Sequence, residues 1–139
     1  MARPPRSPFQ VYVFDASSLI QLEHDGRLSM VQDPGPRIVV PDRVAREIAK
    51  PRTGLAAWLS KHPGVVSRFA TAQESSLYLS LMQQATPKVD DGEAAAIALC
   101  RERRLLLVTE DKAARRKAEE HNVAWVNAEE FLEEWPLPR

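Results

Sequence analysis

The chain lacks the features that mark a disulfide-rich or membrane-spanning protein. Its 139 residues include one cysteine, Cys100, so an internal disulfide is excluded and a reducing compartment, the cytoplasm, is expected. Cys100 lies in an alanine-rich helical segment, and we interpret it as a small core residue. No apolar run approaches the ~20 residues that span a bilayer. Residues 1–8 are basic and proline-rich with no apolar stretch behind them, which predicts a flexible tail and not a signal peptide.

An excess of charge of one sign is absent as well. The chain has 19 basic and 19 acidic residues, which excludes a generally basic nucleic-acid coat but not a local basic patch. Its five glycines form no phosphate-binding loop and no G-x-S-x-G motif, so nucleotide-binding folds and serine hydrolases have no support. The three histidines are scattered without the spacing of metal ligands, which argues against a zinc site.

What the sequence has is a 44% hydrophobic fraction, enough for one core, and an alternation of short strands with helices. The strands are apolar throughout, as expected where helices cover both faces of a parallel sheet. The pattern predicts one α/β domain over residues 9–135, with a three-layer α/β/α arrangement around a central, mostly parallel sheet, and a tail over residues 136–139. The predicted strands are Val11–Phe14, Arg37–Val40, Val65–Ala70, Leu105–Val108 and Val123–Val126. The predicted helices are Ala16–Val31, Asp42–Lys50, Gly54–His62, Gln73–Ala85, Asp91–Arg103, Lys112–His121 and Ala128–Glu134.

Four acidic residues converge on one edge of this predicted sheet. Asp15 directly follows the first strand, and Asp111 follows the fourth by way of Thr109 and one further residue. Ligands of open parallel sheets bind outside the carboxyl ends of the strands. Glu93 lies in the first turn of the fifth helix, on the same face as its buried stripe, and Glu47 lies at the edge of the apolar face of the second helix.

Each acid also has a purely structural explanation. Asp15 and Asp111 suit helix N-caps, Asp90 with Glu93 suits a capping box, and Glu47 suits a solvated helix residue. The four together favour a functional site, because two unit charges ~4 Å apart repel by about 4 kcal/mol at an effective dielectric near 20. A protein that gathers four carboxylates must protonate some of them or bind a cation. Hard oxygen ligands indicate Mg²⁺ or Mn²⁺, ions that promote attack on a phosphodiester.

Four segments that carry these acids resemble the signatures of the PIN-domain family, in order and spacing, from Val11 to Leu132. Any one of the four motifs is weak, but four in order on an α/β frame are specific. They are Val-Phe-Asp15-Ala-Ser17-Ser18-Leu-Ile, Val-Val-Pro41-Asp42-Arg-Val-Ala-Arg-Glu47-Ile, Asp91-Gly-Glu93-Ala-Ala-Ala-Ile-Ala-Leu and Leu-Leu-Leu-Val-Thr109-Glu-Asp111.

The resemblance implies a three-layer PIN fold and a divalent-metal-dependent endoribonuclease that uses Mg²⁺ or Mn²⁺. It implies that Asp15, Glu93 and Asp111 bind the metal and that Glu47 completes the set of catalytic acids. Ser17 and Thr109 would be supporting hydroxyls near the ion. Many PIN domains have aspartate at the third position, so Asp91 stays an alternative to Glu93.

The size of the chain resembles that of VapC-type toxins of bacterial toxin–antitoxin pairs, which implies an RNA substrate, an antitoxin partner and a homodimer. Two alternatives stay open. One is a degenerate PIN module that binds RNA or a protein without cleavage. The other is a phospho-receiver domain, disfavoured because only Asp15 follows the first strand and no lysine follows the last. A run of cations after Asp111 either contacts RNA phosphates or forms a solvated helix face: Lys112, Arg115, Arg116 and Lys117.

Overall fold

A five-stranded sheet forms the centre of the molecule, in a computed structural model that describes residues 10–31, 37–49 and 54–134. The strand order is β3-β2-β1-β4-β5, and every described pairing is parallel. The predicted parallel sheet is thereby confirmed. The strands are β1 (Val11–Phe14), β2 (Arg37–Pro41), β3 (Val66–Ser67), β4 (Leu106–Val108) and β5 (Trp125–Val126).

Seven α-helices in the described residues connect and cover the strands. They are α1 (Ala16–His24), α2 (Asp42–Ile48), α3 (Gly54–Lys61), α4 (Ala72–Gln83), α5 (Asp91–Arg103), α6 (Lys112–Glu120) and α7 (Ala128–Glu134). Two 3₁₀ turns, Leu28–Met30 and Pro63–Val65, supplement them. Among the described residues, none of the helices has the length and apolarity needed to cross a bilayer.

The sheet lies between two layers of helices, and a hydrophobic core fills the space on each of its faces. Alternate residues of a strand point to opposite faces. Tyr12 and Phe14 therefore pack with residues of α1, α2, α3 and α7, and both rings meet Phe131 edge to face at 4.8 Å. Val13 and Leu107 pack on the other face with residues of α4, α5 and α6. This arrangement confirms the α/β/α prediction.

The strand order reverses between β1 and β4, and the candidate site lies at the carboxyl ends of these two strands. The chain after β1 moves to β2 and β3 on one side, whereas β4 and β5 extend the sheet on the other. Just beyond the two strands, the Asp15 N–H donates to the Val108 carbonyl oxygen at 3.2 Å. In parallel sheets, the crevice at such a reversal is the usual position of a ligand site.

Two predicted elements are shorter than expected, each for a local reason. The first helix ends at His24 and not near Val31, because Gly26 adopts a φ of +69°, a left-handed conformation that stops the helix. The third strand stops at Ser67. Beyond it, side chains take the backbone groups that a strand would use: Arg103 binds the Arg68 carbonyl oxygen, and a Glu74 carboxylate oxygen accepts from the Ala70 N–H.

Other predicted boundaries differ by one or two residues at the ends of elements, as is common where helices and strands fray. The helix α5 and the strand β1 have the predicted bounds. The two predicted tails lie outside the described residues, as does Lys50, and the domain limits of 9 and 135 stay predictions.

Candidate active site

Asp15 is fully enclosed, with 0% of its surface exposed, as are Ser18 and Thr109 beside it. It caps α1, since its Oδ1 accepts from the Ser18 N–H at 3.0 Å. Its carboxylate also accepts from the Ser17 hydroxyl at 2.7 Å and from the Thr109 hydroxyl. Burial nevertheless raises the pKa of Asp15, against the lowering effect of these hydrogen bonds. Capping a helix requires no burial, so the N-cap role alone leaves this enclosure unexplained.

The two predicted supporting hydroxyls connect Asp15 to the loop after β4. Ser17 Oγ accepts from the Glu110 N–H at 3.0 Å, and Thr109 Oγ1 accepts from the Asp111 N–H at 3.1 Å. The two hydroxyl oxygens are 3.4 Å apart. The first turn of α1 and the loop that carries Asp111 are therefore held together by one hydrogen-bond network.

Asp111 and Glu93 also occupy the cap positions that the sequence predicts. Asp111 Oδ1 accepts from the Ala114 N–H at 2.8 Å at the start of α6. Asp90 and Glu93 form a reciprocal capping box at the start of α5, with hydrogen bonds of 2.8 and 2.9 Å. The N-termini of three helices, each with an acidic cap, thus face the carboxyl edge of the sheet.

The electrostatics of Glu93 show that these acids share one environment. Partial burial is the largest cause that raises its pKa, to about 8, although the Asp90 N–H lowers it. The negative charges of Asp90, Asp111 and Asp15 raise it further. The negative charges of two other predicted catalytic acids, Asp15 and Asp111, therefore both act on Glu93. A cation between them would relieve this repulsion.

The donor set fits Mg²⁺ or Mn²⁺ by its chemistry, because carboxylate and hydroxyl oxygens are the ligands that these ions prefer. Among the described residues, no three carboxylate, imidazole or thiol groups lie close enough together to hold one ion as the side chains stand. Asp111 and Glu93 are both engaged in cap hydrogen bonds. To bind a shared ion, they would have to turn away from these partners.

Asp91, the alternative third acid, has different neighbours. Its carboxylate accepts from the Tyr78 hydroxyl and pairs with Arg43 Nε at 3.2 Å. Two residues along a helix correspond to a rotation of about 200°, so Asp91 and Glu93 project from opposite flanks of α5. The pKa of Glu93 responds to the charges of Asp15 and Asp111, which favours Glu93 as the third acid.

Glu47 has an exposed side chain on α2, while Val44 and Ile48 of the same helix are buried. Helix α2 approaches the start of α5 closely, because Gly92 has no side chain there. A Cβ atom at Gly92 would lie 3.1 Å from Val44 Cγ2. The inclusion of Glu47 among the catalytic acids thus still rests on the sequence resemblance.

The cations after Asp111 have unequal surroundings. Lys112 and Arg116 are exposed. Arg115 is half-buried, with its guanidinium 4.4 Å from the centre of the Trp125 ring and one N–H donated to the Thr109 carbonyl oxygen at 3.2 Å. Lys117 is only 1% exposed and binds Gln84 and Thr86, in the segment before α5. Lys117 is therefore a structural contact between α6 and the segment that connects α4 to α5, and not a phosphate contact.

Sequence reasoning missed two groups of contacts around the site. One joins Arg43, Tyr78 and Asp91, and the other joins Arg103 to Glu74. Their partners lie 13 to 48 positions apart along the chain, and no motif marks them.

The raised pKa of Glu93 predicts a pH dependence of stability. Between its ordinary value of 4.5 and about 8, the unfolded chain has lost the Glu93 proton while the folded protein retains it. Since the folded state then binds more protons, the free energy of unfolding of the metal-free protein falls as pH rises through this range. Urea denaturation in EDTA at pH 5.5, 7 and 8.5 measures this pH dependence of the free energy of unfolding. We expect Glu93→Gln to flatten the dependence, whereas the control Glu129→Gln, at an exposed position, retains it. Equal pH profiles for wild type and Glu93→Gln would contradict the assignment.

Fold and site together define a three-layer α/β protein with an acidic site at the reversal point of a parallel sheet. A family model described as "PIN domain" matches residues 11–126. The chain therefore belongs to the PIN-domain family, which confirms the resemblance inferred from the four motifs. No curated protein matches the chain.

Solved structures with the same fold come from distant organisms. VapBC-1 of nontypeable Haemophilus influenzae is 13% identical with a TM-score of 0.59, covering 86% of this chain and 99% of that one. A PilT N-terminus domain protein of Sulfolobus solfataricus is 18% identical with a TM-score of 0.59, covering 94% and 96%. The PIN domain of Trypanosoma brucei RRP44 is 15% identical with a TM-score of 0.59, covering 89% and 77%. At these identities, the likeness shows the shared fold.

Proposed function

We propose that the protein is a divalent-metal-dependent endoribonuclease that hydrolyses RNA phosphodiester bonds. The observation that carries the proposal is the enclosure of Asp15 at the point where the strand order reverses. A fully buried carboxylate with a raised pKa is energetically costly, and such groups cluster at functional sites. Glu93 and Asp111 add negative charge at the same edge of the sheet. Membership of the PIN-domain family gives independent support.

In this proposal, Asp15, Glu93 and Asp111 hold the ion. When bound, Mg²⁺ or Mn²⁺ supplies Lewis-acid stabilisation of the charge that develops on the phosphodiester oxygens. The Ser17 and Thr109 hydroxyls fix the orientation of the Asp15 carboxylate, as supporting partners of a metal ligand do.

The remaining predicted site residues act at the rim of this centre. Glu47 contributes the fourth negative charge from α2. Lys112 and Arg116, exposed on α6 directly after Asp111, contact phosphates of the bound strand. Arg115 donates to the Thr109 carbonyl oxygen and contributes to RNA binding from that position.

A toxin role and an antitoxin partner extend the proposal. Solved structures that share this fold include VapBC2 of Rickettsia felis bound to a DNA fragment from the promoter, and FitAB bound to an IR36 DNA fragment. These complexes support the proposal of a cognate antitoxin for this chain. We further propose a cytoplasmic homodimer, which light scattering of the purified protein would test against a monomer mass of 15.6 kDa.

The nuclease proposal predicts RNA cleavage that depends on a divalent cation. We expect the purified chain, free of any partner, to cleave single-stranded RNA in Mg²⁺ or Mn²⁺ and to be inactive in EDTA, because the acids would lack their charge-neutralising ion. Gel analysis of end-labelled RNA measures the cleavage, with matched DNA and double-stranded RNA as comparisons. If no RNA is cleaved in any divalent metal while RNA binding persists, the chain is a binding module and the proposal fails.

A further inference from the structure

A cluster of four side chains lies on the flank of α5 opposite Glu93. We refer to Arg43, Phe69, Tyr78 and Asp91 as the Arg43 cluster; they belong to α2, the segment before α4, α4 itself and α5. The guanidinium carbon of Arg43 is 4.4 Å from the Tyr78 ring centre and 5.0 Å from the Phe69 ring centre. The two ring centres are 5.1 Å apart. Four separate elements thus contribute planar groups to one small region.

The geometry of the Arg43 cluster leaves part of its planar surface uncovered. If the rings of Phe69 and Tyr78 covered opposite faces of the Arg43 guanidinium, their centres would be nearly twice as far apart as they are. The three planar groups instead form a compact triangle. The Arg43 side chain is 26% exposed, that of Asp91 is 53% exposed, and both rings are half-buried. Solvent therefore reaches part of each of these side chains.

The charge of the cluster is balanced, which narrows the chemistry of a ligand. Asp91 pairs with the Arg43 guanidinium at 3.2 Å and an Asp42 oxygen lies 3.7 Å from it, so the cluster attracts a phosphate less than a free arginine does. The cluster instead provides planar side chains on which a ligand can stack. Nucleobases of single-stranded RNA stack on aromatic rings and arginine planes, and each such base contributes about 1–3 kcal/mol to binding.

The Arg43 cluster lies near the acids of the candidate active site, because Asp91 and Glu93 belong to the same turn of α5. Asp91 is the first residue of α5 and Glu93 the third, on opposite flanks of the same turn. An α-helix with its side chains is about 10 Å wide, so a strand that reaches from the acids across this turn spans about one or two nucleotides. The cluster is thus within reach of a base that neighbours the phosphate at the acids.

We propose that the Arg43 cluster is a stacking subsite for one nucleobase of a single-stranded RNA, adjacent to the position of cleavage. The identity of the strand rests on the proposed nuclease function, and the stacking chemistry rests on the Arg43 cluster itself. The subsite prefers an unpaired strand, because a base must leave its own stack to lie on Arg43, Phe69 or Tyr78.

RNA binding, measured in EDTA so that no metal-dependent cleavage occurs, tests this subsite. A short single-stranded oligoribonucleotide with one 2-aminopurine, moved through successive positions, is titrated with wild-type protein in EDTA. We expect the fluorescence of 2-aminopurine to change on binding at one or two positions only, because there the base exchanges its neighbours in the strand for the side chains of the Arg43 cluster. Phe69→Leu removes the π-face and Arg43→Lys removes the planar guanidinium, and each is expected to weaken binding by about tenfold or more. Leu79→Ala, at an exposed position on α4, is the control and retains affinity.

Salt dependence separates stacking from phosphate contact. Phe69→Leu is expected to leave the slope of log affinity against log salt unchanged, whereas Lys112→Gln lowers its magnitude by about 1. An oligonucleotide with an abasic site at the position of the fluorescence change is expected to bind wild type at least as weakly as the normal strand binds Phe69→Leu. This measurement needs no protein variant and holds even if a variant folds poorly.

Each outcome decides one proposal. If Phe69→Leu and Arg43→Lys bind RNA as wild type does, or if the abasic strand binds undiminished, the Arg43 cluster only ties helices together and the subsite proposal is overturned. A matched DNA strand that binds with equal affinity and gives the same fluorescence change overturns its assignment to RNA. A protein that shows a position-specific fluorescence change but cleaves nothing in Mg²⁺ or Mn²⁺ retains the subsite and loses the nuclease proposal.

Discussion

Asp15→Asn is expected to abolish metal-dependent RNA cleavage, with a rate loss well beyond the roughly ten- to hundredfold typical of a supporting residue of a metal site. The substitution keeps the shape of the side chain and an oxygen that can accept from the Ser18 N–H. It removes the negative charge at the centre of the site, where the Ser17 and Thr109 hydroxyls now hold a carboxylate. We expect Mg²⁺ to raise the melting temperature of wild type and to leave that of the variant unchanged.

The metal-free Asp15→Asn protein is expected to be as stable as wild type or more stable. Burial disfavours the charged form of Asp15, and the neutral amide escapes this cost. Single-turnover cleavage and melting temperature in EDTA measure the two effects separately. Asp25→Asn, at the exposed C-terminal end of the same helix, is the matched control and should retain activity. Cleavage by Asp15→Asn near the wild-type rate would remove Asp15 from the catalytic centre.

Glu74→Gln is expected to destabilise the fold by about 1.5–3 kcal/mol, the usual contribution of hydrogen bonds to a charged group, because the partner Arg103 stays partly solvated. Glu74 is 2% exposed and binds Arg103 Nε at 2.8 Å and a second Arg103 nitrogen at 3.2 Å. Arg103 further donates to Ser67 Oγ at 3.0 Å and to the Arg68 carbonyl oxygen at 2.8 Å. The pair thus fixes the segment between β3 and α4 against the end of α5.

Urea denaturation of Glu74→Gln, Arg103→Met and the double variant measures this contribution and its coupling. The hydrogen bonds and charge of Arg103 lower the pKa of Glu74, so the stabilisation is fully present above the ordinary value of 4.5 and is lost as pH falls through the lowered pKa. Glu102→Gln, one residue before Arg103 and exposed, is the control. If the single and double variants lose no more stability than this control, the buried pair does not hold the fold together.

The elements that the sequence predicts well are those with strong local patterns. The strand β1 and the helices α5 and α7 have the predicted bounds. The predicted cap roles of Asp15, Asp111 and the Asp90–Glu93 box are all present. These features depend on residues within four positions of one another, so the sequence alone contains them. The α1 boundary was wrong because a single left-handed residue, Gly26, ends a helix whose apolar pattern continues.

The chain by itself determined the order of its strands and helices, the caps of its helices and its membership of the PIN-domain family. Only the tertiary structure decided that Asp15 is fully buried and that Asp91 forms an ion pair with Arg43. It also decided that the charges of Asp15 and Asp111 raise the pKa of Glu93. The physical reason is distance along the chain. A cap bonds to a neighbour three residues away, but the burial and pKa of a carboxylate depend on helices that pack beside it from remote parts of the sequence.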